Sequence, residues 1–291
     1  MFGVYVRLAR VKDWVKNVFI LLPLPFALAS GNIAELDVLR FALGLAGFCL
    51  VSSAVYCYND ALDAEADRLH PKKKLRPVAA GLISVRAAMV LAFGLLAAGG
   101  TLEALSGSPL ALSLTMTYAG LNVLYSRYAK HRAPVDILML ASFFILRVYV
   151  GCALVGAAPS NWLLLCSFTV SLFLVLTKRR ADLVEGVDET HRQALAGYNL
   201  EFLNQAMGIT AGIALLSYAL YTMETSLFIE GREFWSVPFV AAGLLDYLRL
   251  AHTRGLGGSP VDVALSEPSI LLWGGGWVIA ILTSLDLPWP G

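Results

Sequence analysis

Residues 38–67 read VLRFALGLAGFCLVSSAVYCYNDALDAEAD. The apolar part, 38–58, is long enough to cross about 30 Å of hydrocarbon as a helix. It runs without a turn signal into Asn59, Asp60, Asp63 and Asp67, an N-D-x-x-D-x-x-x-D pattern at the edge of a membrane span. On a helix the aspartates fall at i, i+3 and i+7 and share one face, while Glu65 points away. At neighbour distances of roughly 5.5 Å each carboxylate pair costs about 3 kcal/mol at an effective dielectric near 20, so a compensating charge is required. Oxygen ligands alone suit a hard cation such as Mg²⁺, completed by waters and substrate phosphates. The plainer reading is a solvated acidic helix end. An EF-hand is excluded, because no D-x-D-x-D-G loop ending in glutamate is present.

The chain of 291 residues is 58% hydrophobic and 15% charged, with a mean hydropathy of +0.69, which predicts an all-α polytopic membrane protein. Apolar stretches lie at 17–30, 38–58, 85–105, 109–126, 134–156, 161–177, 205–225, 234–250 and 269–286, giving nine expected spans around a central cavity in one domain, 1–291. Pro23 and Pro25 interrupt the first stretch. Arg7, Arg10, Lys12 and Lys16, then an apolar run and Ala27-Leu28-Ala29, also imitate a signal peptide. With the N-terminus in the cytoplasm, all Lys and Arg except Arg40, Arg147 and Arg232 fall in the N-terminal segment and in loops 58–86, 127–133, 178–204 and 249–268. The opposite side is read as carrying Glu35, Asp37, Glu103, Glu224, Glu230 and Glu233. This positive-inside asymmetry supports the nine-span count with the N-terminus in the cytoplasm. Cys49, Cys57, Cys152 and Cys166 lack metal or disulfide spacing and read as small buried hydrophobes.

The polar loops carry the chemistry. Arg68-Leu69-His70-Pro71-Lys72-Lys73-Lys74-Leu75-Arg76-Pro77 reads as a topology signal or a contact with anionic lipid. Placed directly after the acidic run, it also reads as a lid whose Arg68 and Arg76 fork onto phosphates. Lys178-Arg179-Arg180-Ala181-Asp182-Leu183-Val184-Glu185 reads as a helix end salt-bridged through Lys178 and Asp182, or as a second anion clamp. In the clamp, Asp182 and Glu185 add a metal ligand or orient an arginine. Tyr125, Tyr128, Lys130 and Arg132 are ordinary interfacial residues by composition. Arg147 lies inside a span, eleven residues after Asp136 and so about 16 Å deeper on nearly the same face. Such a charge costs on the order of 3 kcal/mol to insert, so it marks a functional cavity or pairs with a polar group on another helix. His70, His131, His191 and His252 have no metal spacing.

Together these residues resemble the UbiA superfamily of intramembrane prenyltransferases. Trp14-Val15-Lys16-Asn17, Asp67-Arg68-Leu69-His70-Pro71, Arg76-Pro77, Tyr125-Ser126 with Lys130, Leu146-Arg147 and Lys178-Arg179-Arg180-Ala181 resemble its decaprenyl-phosphate phosphoribosyltransferase branch over about residues 7 to 200. The resemblance implies Mg²⁺-dependent transfer of the 5-phosphoribosyl group of phosphoribosyl diphosphate to a polyprenyl phosphate, with diphosphate released. It implies Asp60, Asp63 and Asp67 as metal-holding catalytic residues, with Asn59 as added ligand or orienting group and Asn17 orienting. It makes Lys16, Arg68, Arg76, Tyr125, Lys130, Arg147, Lys178, Arg179 and Arg180 candidates for the substrate phosphates. Membrane lipid is the expected surround, nucleic acid is not an expected partner, and self-association is left open.

The main rival within the superfamily is prenyl transfer to an aromatic acceptor. Enzymes of that kind carry a second aspartate-rich motif where this chain's loop opens with Lys-Arg-Arg and has Asp182 and Glu185. The D-G-x-x-A-R opening of the CDP-alcohol phosphotransferases is absent. A transporter would be supported by inverted repeats, and the aspartate motif has no second copy.

Overall fold

Each of the nine apolar stretches contains an α-helix in the computed structural model, which describes residues 2–29, 37–69, 73–186 and 193–286. The α-helices in chain order are α1 (Phe2–Leu8), α2 (Pro23–Ala29), α3 (Val38–Leu62), α4 (Ala64–Leu69), α5 (Val85–Leu105), α6 (Pro109–Arg127), α7 (Val135–Val155), α8 (Asn161–Val184), α9 (Leu200–Glu224), α10 (Val237–Thr253), α11 (Pro260–Ser266) and α12 (Pro268–Ser284). A 3-10 helix, Val11–Ile20, precedes α2. Among the described residues the only β pairing is an isolated bridge between Phe228 and Leu285. His70, Pro71, Lys72, His191 and Glu35 lie outside the described residues.

The expectation of nine spans is not met by length and composition. Five helices, α3, α5, α7, α8 and α9, are long and apolar enough to cross a membrane, and α11 with α12 makes a sixth if that pair, bent by 81°, is one span. The prolines explain the first shortfall, since α2 begins at Pro23 and has only 7 residues. Helix α6 is diluted by Ser113, Thr115, Thr117 and Asn122, and α10 and α12 stop at 17 residues each.

Local chemistry sets the helix ends. The side chains of Ser84, Ser108 and Asn199 accept from the amides of Ala87, Ala111 and Phe202. Gly156, at φ 70°, ends α7 in the left-handed conformation that glycine adopts without penalty. The closest helix pair is α3 with α5, where a Cβ on Gly47 would lie 2.8 Å from the Gly99 carbonyl oxygen. Glu103, expected on the far side in a loop, instead lies fully buried in the last turn of α5, where Thr115 donates to it. One apolar core joins α2, α3, α6 and α7 through Phe48, Val51, Tyr118 and Phe143. A second joins α7 to α10 through Ile137, Phe173, Leu203, Met207 and Leu250. Helix α7 therefore stands between two half-bundles.

The 3-10 segment is fixed by register. At three residues and about 6 Å per turn, Trp14, Asn17 and Ile20 fall in one line, and four residues of an α-helix also rise about 6 Å. The Trp14 indole N–H donates to Ser53 and Asn17 Nδ2 to Cys49 Sγ, one α-turn apart on α3. On α7, Arg147 binds Asn17, and one turn on, Gly151 lies against Ile20. A Cβ on Gly151 would be 2.2 Å from the Ile20 carbonyl oxygen. Residues 11–20 are thus packed into the bundle. Gly151→Ala is expected to push this segment off α7 and destabilise the protein by about 1–3 kcal/mol, read as a lower thermal midpoint in detergent; an unchanged midpoint would refute the register.

Candidate active site

Four polar stretches that are far apart in sequence meet at one end of the bundle. Helix α3 ends at Leu62, Asp63 stands at its C-cap with φ −90° and ψ 5°, and α4 restarts at Ala64. The aspartates therefore do not share one unbroken helix as expected, although the Asp63 and Asp67 amides still donate to the carbonyls four residues back. The break leaves Asp60 and Asp67 buried at 2% and 3% exposure, with Asp63 at the rim.

Each carboxylate has its own cation. Arg10 Nη2 lies 2.6 Å from Asp60 Oδ1, and Arg76 Nη1 lies 3.4 Å from the same atom and 2.6 Å from Asp67 Oδ2. Lys130 Nζ, from the loop between α6 and α7, lies 2.7 Å from Asp63 Oδ1. These pairs neutralise the carboxylates, because carboxylates this close in a low dielectric draw in whatever counter-charge reaches them. Burial pushes Asp67 above the usual carboxylate range, with Arg76 offsetting only part. Burial opposes the Arg10 charge most strongly, yet Asp60, Tyr56 and Asp13 together outweigh it and hold the guanidinium above its ordinary value. Asn59 Oδ1 is taken by the Ser126 hydroxyl at 2.7 Å, which suits an orienting role. Among the described residues no three His, Cys, Asp or Glu side chains converge on one metal position. The donor chemistry nevertheless fits a hard cation, since the site offers oxygen only.

A polar seam continues down α3 through Tyr56, Ser53 and Cys49. Arg10 and Lys16 stand 4.9 and 5.7 Å from the Tyr56 ring centre, and Lys16 pairs with Asp13 at 2.6 Å. Arg147 lies at the foot of the seam. Its Nε donates to Asn17 Oδ1 at 3.0 Å, Nη1 to the Phe143 carbonyl at 2.8 Å and Nη2 to the Tyr118 hydroxyl at 3.1 Å, and Phe48, Tyr118 and Phe144 surround it. Cys49 is eleven residues from Asp60, so this cage is about 16 Å below the aspartates. Arg147 is thus the pair with a polar group on another helix, where it anchors Asn17.

The Lys-Arg-Arg run divides. Arg179 is fully buried, 2.8 Å from Asp136 Oδ2 and 3.4 Å from Asp182, while Tyr198 donates to Asp136 Oδ1 at 2.5 Å. Within the same run, Asp182 also receives Arg179 Nη1. Arg180 turns away, donating to Asn204 Oδ1 and the Ala251 carbonyl, both at 2.7 Å, and so ties α8 to α9 and α10 rather than joining an anion clamp. Lys178 and Tyr125 are half-buried, and Arg68 and Glu185 are exposed. Lys12 pairs with Asp262 of α11 at the same end. Sequence reasoning missed Arg10, Tyr198 and Asp262 as partners, because nothing local links residue 10 to 60, 136 to 198 or 12 to 262.

The chain matches the profile of the UbiA prenyltransferase family over residues 18–254. It is 33% identical over 287 residues to decaprenyl-phosphate phosphoribosyltransferase of Corynebacterium glutamicum, covering 96% of this chain and 86% of that protein. It is 30% identical over 291 residues to the protein of the same name from Mycobacterium tuberculosis, covering 95% and 92%. The fold is similar to that of a UbiA homolog from Archaeoglobus fulgidus bound to GPP and Mg²⁺, with a TM-score of 0.74 at 19% identity and coverage of 96% and 97%.

The two kinds of ion pair should respond differently to truncation. Asp136→Ala strands the buried Arg179 charge and should cost about 3–5 kcal/mol, whereas Lys12→Ala breaks an exposed pair and should cost about 0–1 kcal/mol. Thermal midpoints in nanodiscs check the contrast, and equal shifts would contradict it.

Proposed function

The chain belongs to the UbiA prenyltransferase family, and from that premise we propose that it transfers the 5-phosphoribosyl group of 5-phosphoribosyl 1-diphosphate to a polyprenyl phosphate such as decaprenyl phosphate. The observation that carries this reading is a carboxylate cluster ringed by cations, the single such cluster among the described residues: Asp60, Asp63 and Asp67 lie against Arg10, Arg76 and Lys130. A second carboxylate cluster would suit two metals on a prenyl diphosphate. Here the corresponding segment has Arg179 locked between Asp136 and Asp182. One acidic site for one diphosphate, with spare cations for further phosphates, matches a donor with two phosphate groups and an acceptor with one. The similarity to the decaprenyl-phosphate phosphoribosyltransferases over most of both chains supports the same choice.

Asp60, Asp63 and Asp67 would hold Mg²⁺, which when bound offsets negative charge on the departing diphosphate. Arg76 and Lys130 pair with carboxylate oxygens of this cluster and would bind the diphosphate from the loop side. Lys16, beside the Tyr56 ring, is placed for a further phosphate. The lipid phosphate is already an anion, so its oxygen attacks the anomeric carbon as the bond to the diphosphate oxygen breaks. No strong base is needed, and the anomeric centre inverts. Alignment of the two anionic partners supplies much of the acceleration. The bundle would cross a bacterial cytoplasmic membrane nine times, the shorter helices completing the count, with the site on the cytoplasmic face. The gathering of the basic loops at one end supports that orientation.

Protein in lipid nanodiscs with Mg²⁺, labelled phosphoribosyl diphosphate and decaprenyl phosphate should move label into the lipid phase, and EDTA should stop it. Asp60→Asn or Asp63→Asn should lower turnover by at least about a hundredfold, on the order of 3 kcal/mol of transition-state stabilisation, with expression intact. Absence of transfer across several polyprenyl lengths by folded protein would shift the reading to prenyl diphosphates with aromatic acceptors.

A further inference from the structure

We infer that Arg10 is a substrate-binding residue that exchanges Asp60 for a diphosphate oxygen, so that the divalent cation and the diphosphate each strengthen the binding of the other. The inference rests on the reading that the aspartates hold a metal for a diphosphate.

Arg10 is held for this contact. It is the one described non-glycine residue with positive φ, at 49°, and it directly precedes the 3-10 segment. Its guanidinium stands 4.9 Å from the Tyr56 ring centre while Nη2 reaches Asp60 Oδ1 at 2.6 Å. Tyr56 and Asp60 are four residues apart on α3, so one face of that helix presents both the ring and the carboxylate. The Arg10 side chain is 26% exposed and Asp60 only 2%, which leaves the cation within reach of an incoming anion while the carboxylate stays covered. A left-handed backbone at a residue other than glycine persists only where its surroundings fix it.

The pairing couples the two binding events. A divalent cation arriving alone must displace Arg10 and Arg76 from Asp60 and Lys130 from Asp63, stranding three positive groups beside a doubly charged ion. A diphosphate arriving alone must draw the same groups away and leave Asp60, Asp63 and Asp67 uncompensated, with two of them buried. When both arrive, the metal takes the carboxylates and the diphosphate takes the cations, and every charge regains a partner. The two ligands are therefore positively coupled, and the coupling is reciprocal. Arg10 contributes with opposite sign to the two halves: it competes with the metal and attracts the diphosphate.

Equilibrium dialysis tests this with radiolabelled Mn²⁺ as the metal probe and radiolabelled inorganic pyrophosphate as the anion. The protein is held in phosphatidylcholine nanodiscs, and each ligand is measured alone and with the other. Wild-type protein should retain each ligand at least about fivefold more tightly in the presence of the other. Arg10→Gln should tighten Mn²⁺ measured alone and weaken pyrophosphate measured with Mn²⁺, each by at least about fivefold. Arg10→Lys should return both values toward wild type. A residue that only supports the fold would weaken both, so parallel losses, no change in either, or uncoupled wild-type binding would overturn the inference. Pyrophosphate is common to any diphosphate substrate, so intact coupling with no phosphoribosyl transfer would defeat only the choice of substrate. Transfer without coupling would defeat only the role of Arg10.

Discussion

Charge neutralisation around Asp60 and Asp67 is the constraint on which the rest of the structure depends. Two carboxylates cannot be buried within a turn or two of each other at the end of an apolar helix unless cations come to them. Arg10 comes from the N-terminal segment, Arg76 from the loop after α4 and Lys130 from the loop after α6. Each of these contacts closes a different part of the chain onto the end of α3. The chemistry of the site and the closure of the bundle are therefore the same interactions. A ligand that redistributes the charges also loosens and remakes the contacts that hold the loops.

Delivering Arg10 to Asp60 depends on the segment that follows it. A 3-10 run of 10 residues is long for that conformation, whose hydrogen bonds are poorer than those of an α-helix. It persists because its 6 Å turn matches four residues on both α3 and α7, so Trp14, Asn17 and Ile20 each meet a partner. Asn17 is the junction, donating to Cys49 on α3 and accepting from Arg147 on α7. The deep arginine needs no carboxylate there. Three neutral acceptors and three aromatic faces share its charge, and each cation–π contact contributes about 0.5–2 kcal/mol. Its consequence for the active site is indirect, through the placement of residues 10 to 16.

The sequence makes the apolar stretches legible because burial in lipid requires long unbroken runs, and the helices begin and end close to where those runs do. The acidic and basic character of the loops was legible for the same reason, since charge is confined to the ends. Pairing was not. Asp60 could have met any of the basic residues of the N-terminal segment and the loops, and Arg10 was visible only as one more positive charge among them. Arg179 and Arg180 are adjacent in the chain and identical in type, yet one is buried against Asp136 and the other bonds to Asn204 and Ala251. A helix turns about 100° per residue, so consecutive side chains face different neighbours, and only the bundle decides which. Glu103 reads as a loop residue from its position near the end of an apolar run, but the close approach of Gly47 and Gly99 draws that last turn into the core.

The buried Arg179 and Asp136 pair stands in contrast to the pairs at the aspartates. Both of its side chains are at 0% exposure, and removing two such charges from water costs several kcal/mol per ion. Tyr198 and Asp182 complete part of the network, yet Arg179 Nη2 has no acceptor among the described residues. An arrangement of this kind adds little net stability compared with well-packed apolar side chains, so its value lies in geometry. It fixes α7, α8 and the segment before α9 to one another. Arg10, Arg76 and Lys130 keep 23–27% of their side chains exposed. Water reaches these cations, so a cation that leaves its carboxylate is not left desolvated. The fully buried pair cannot exchange its partners without stranding a charge, and it therefore belongs to the frame against which the exchangeable pairs move.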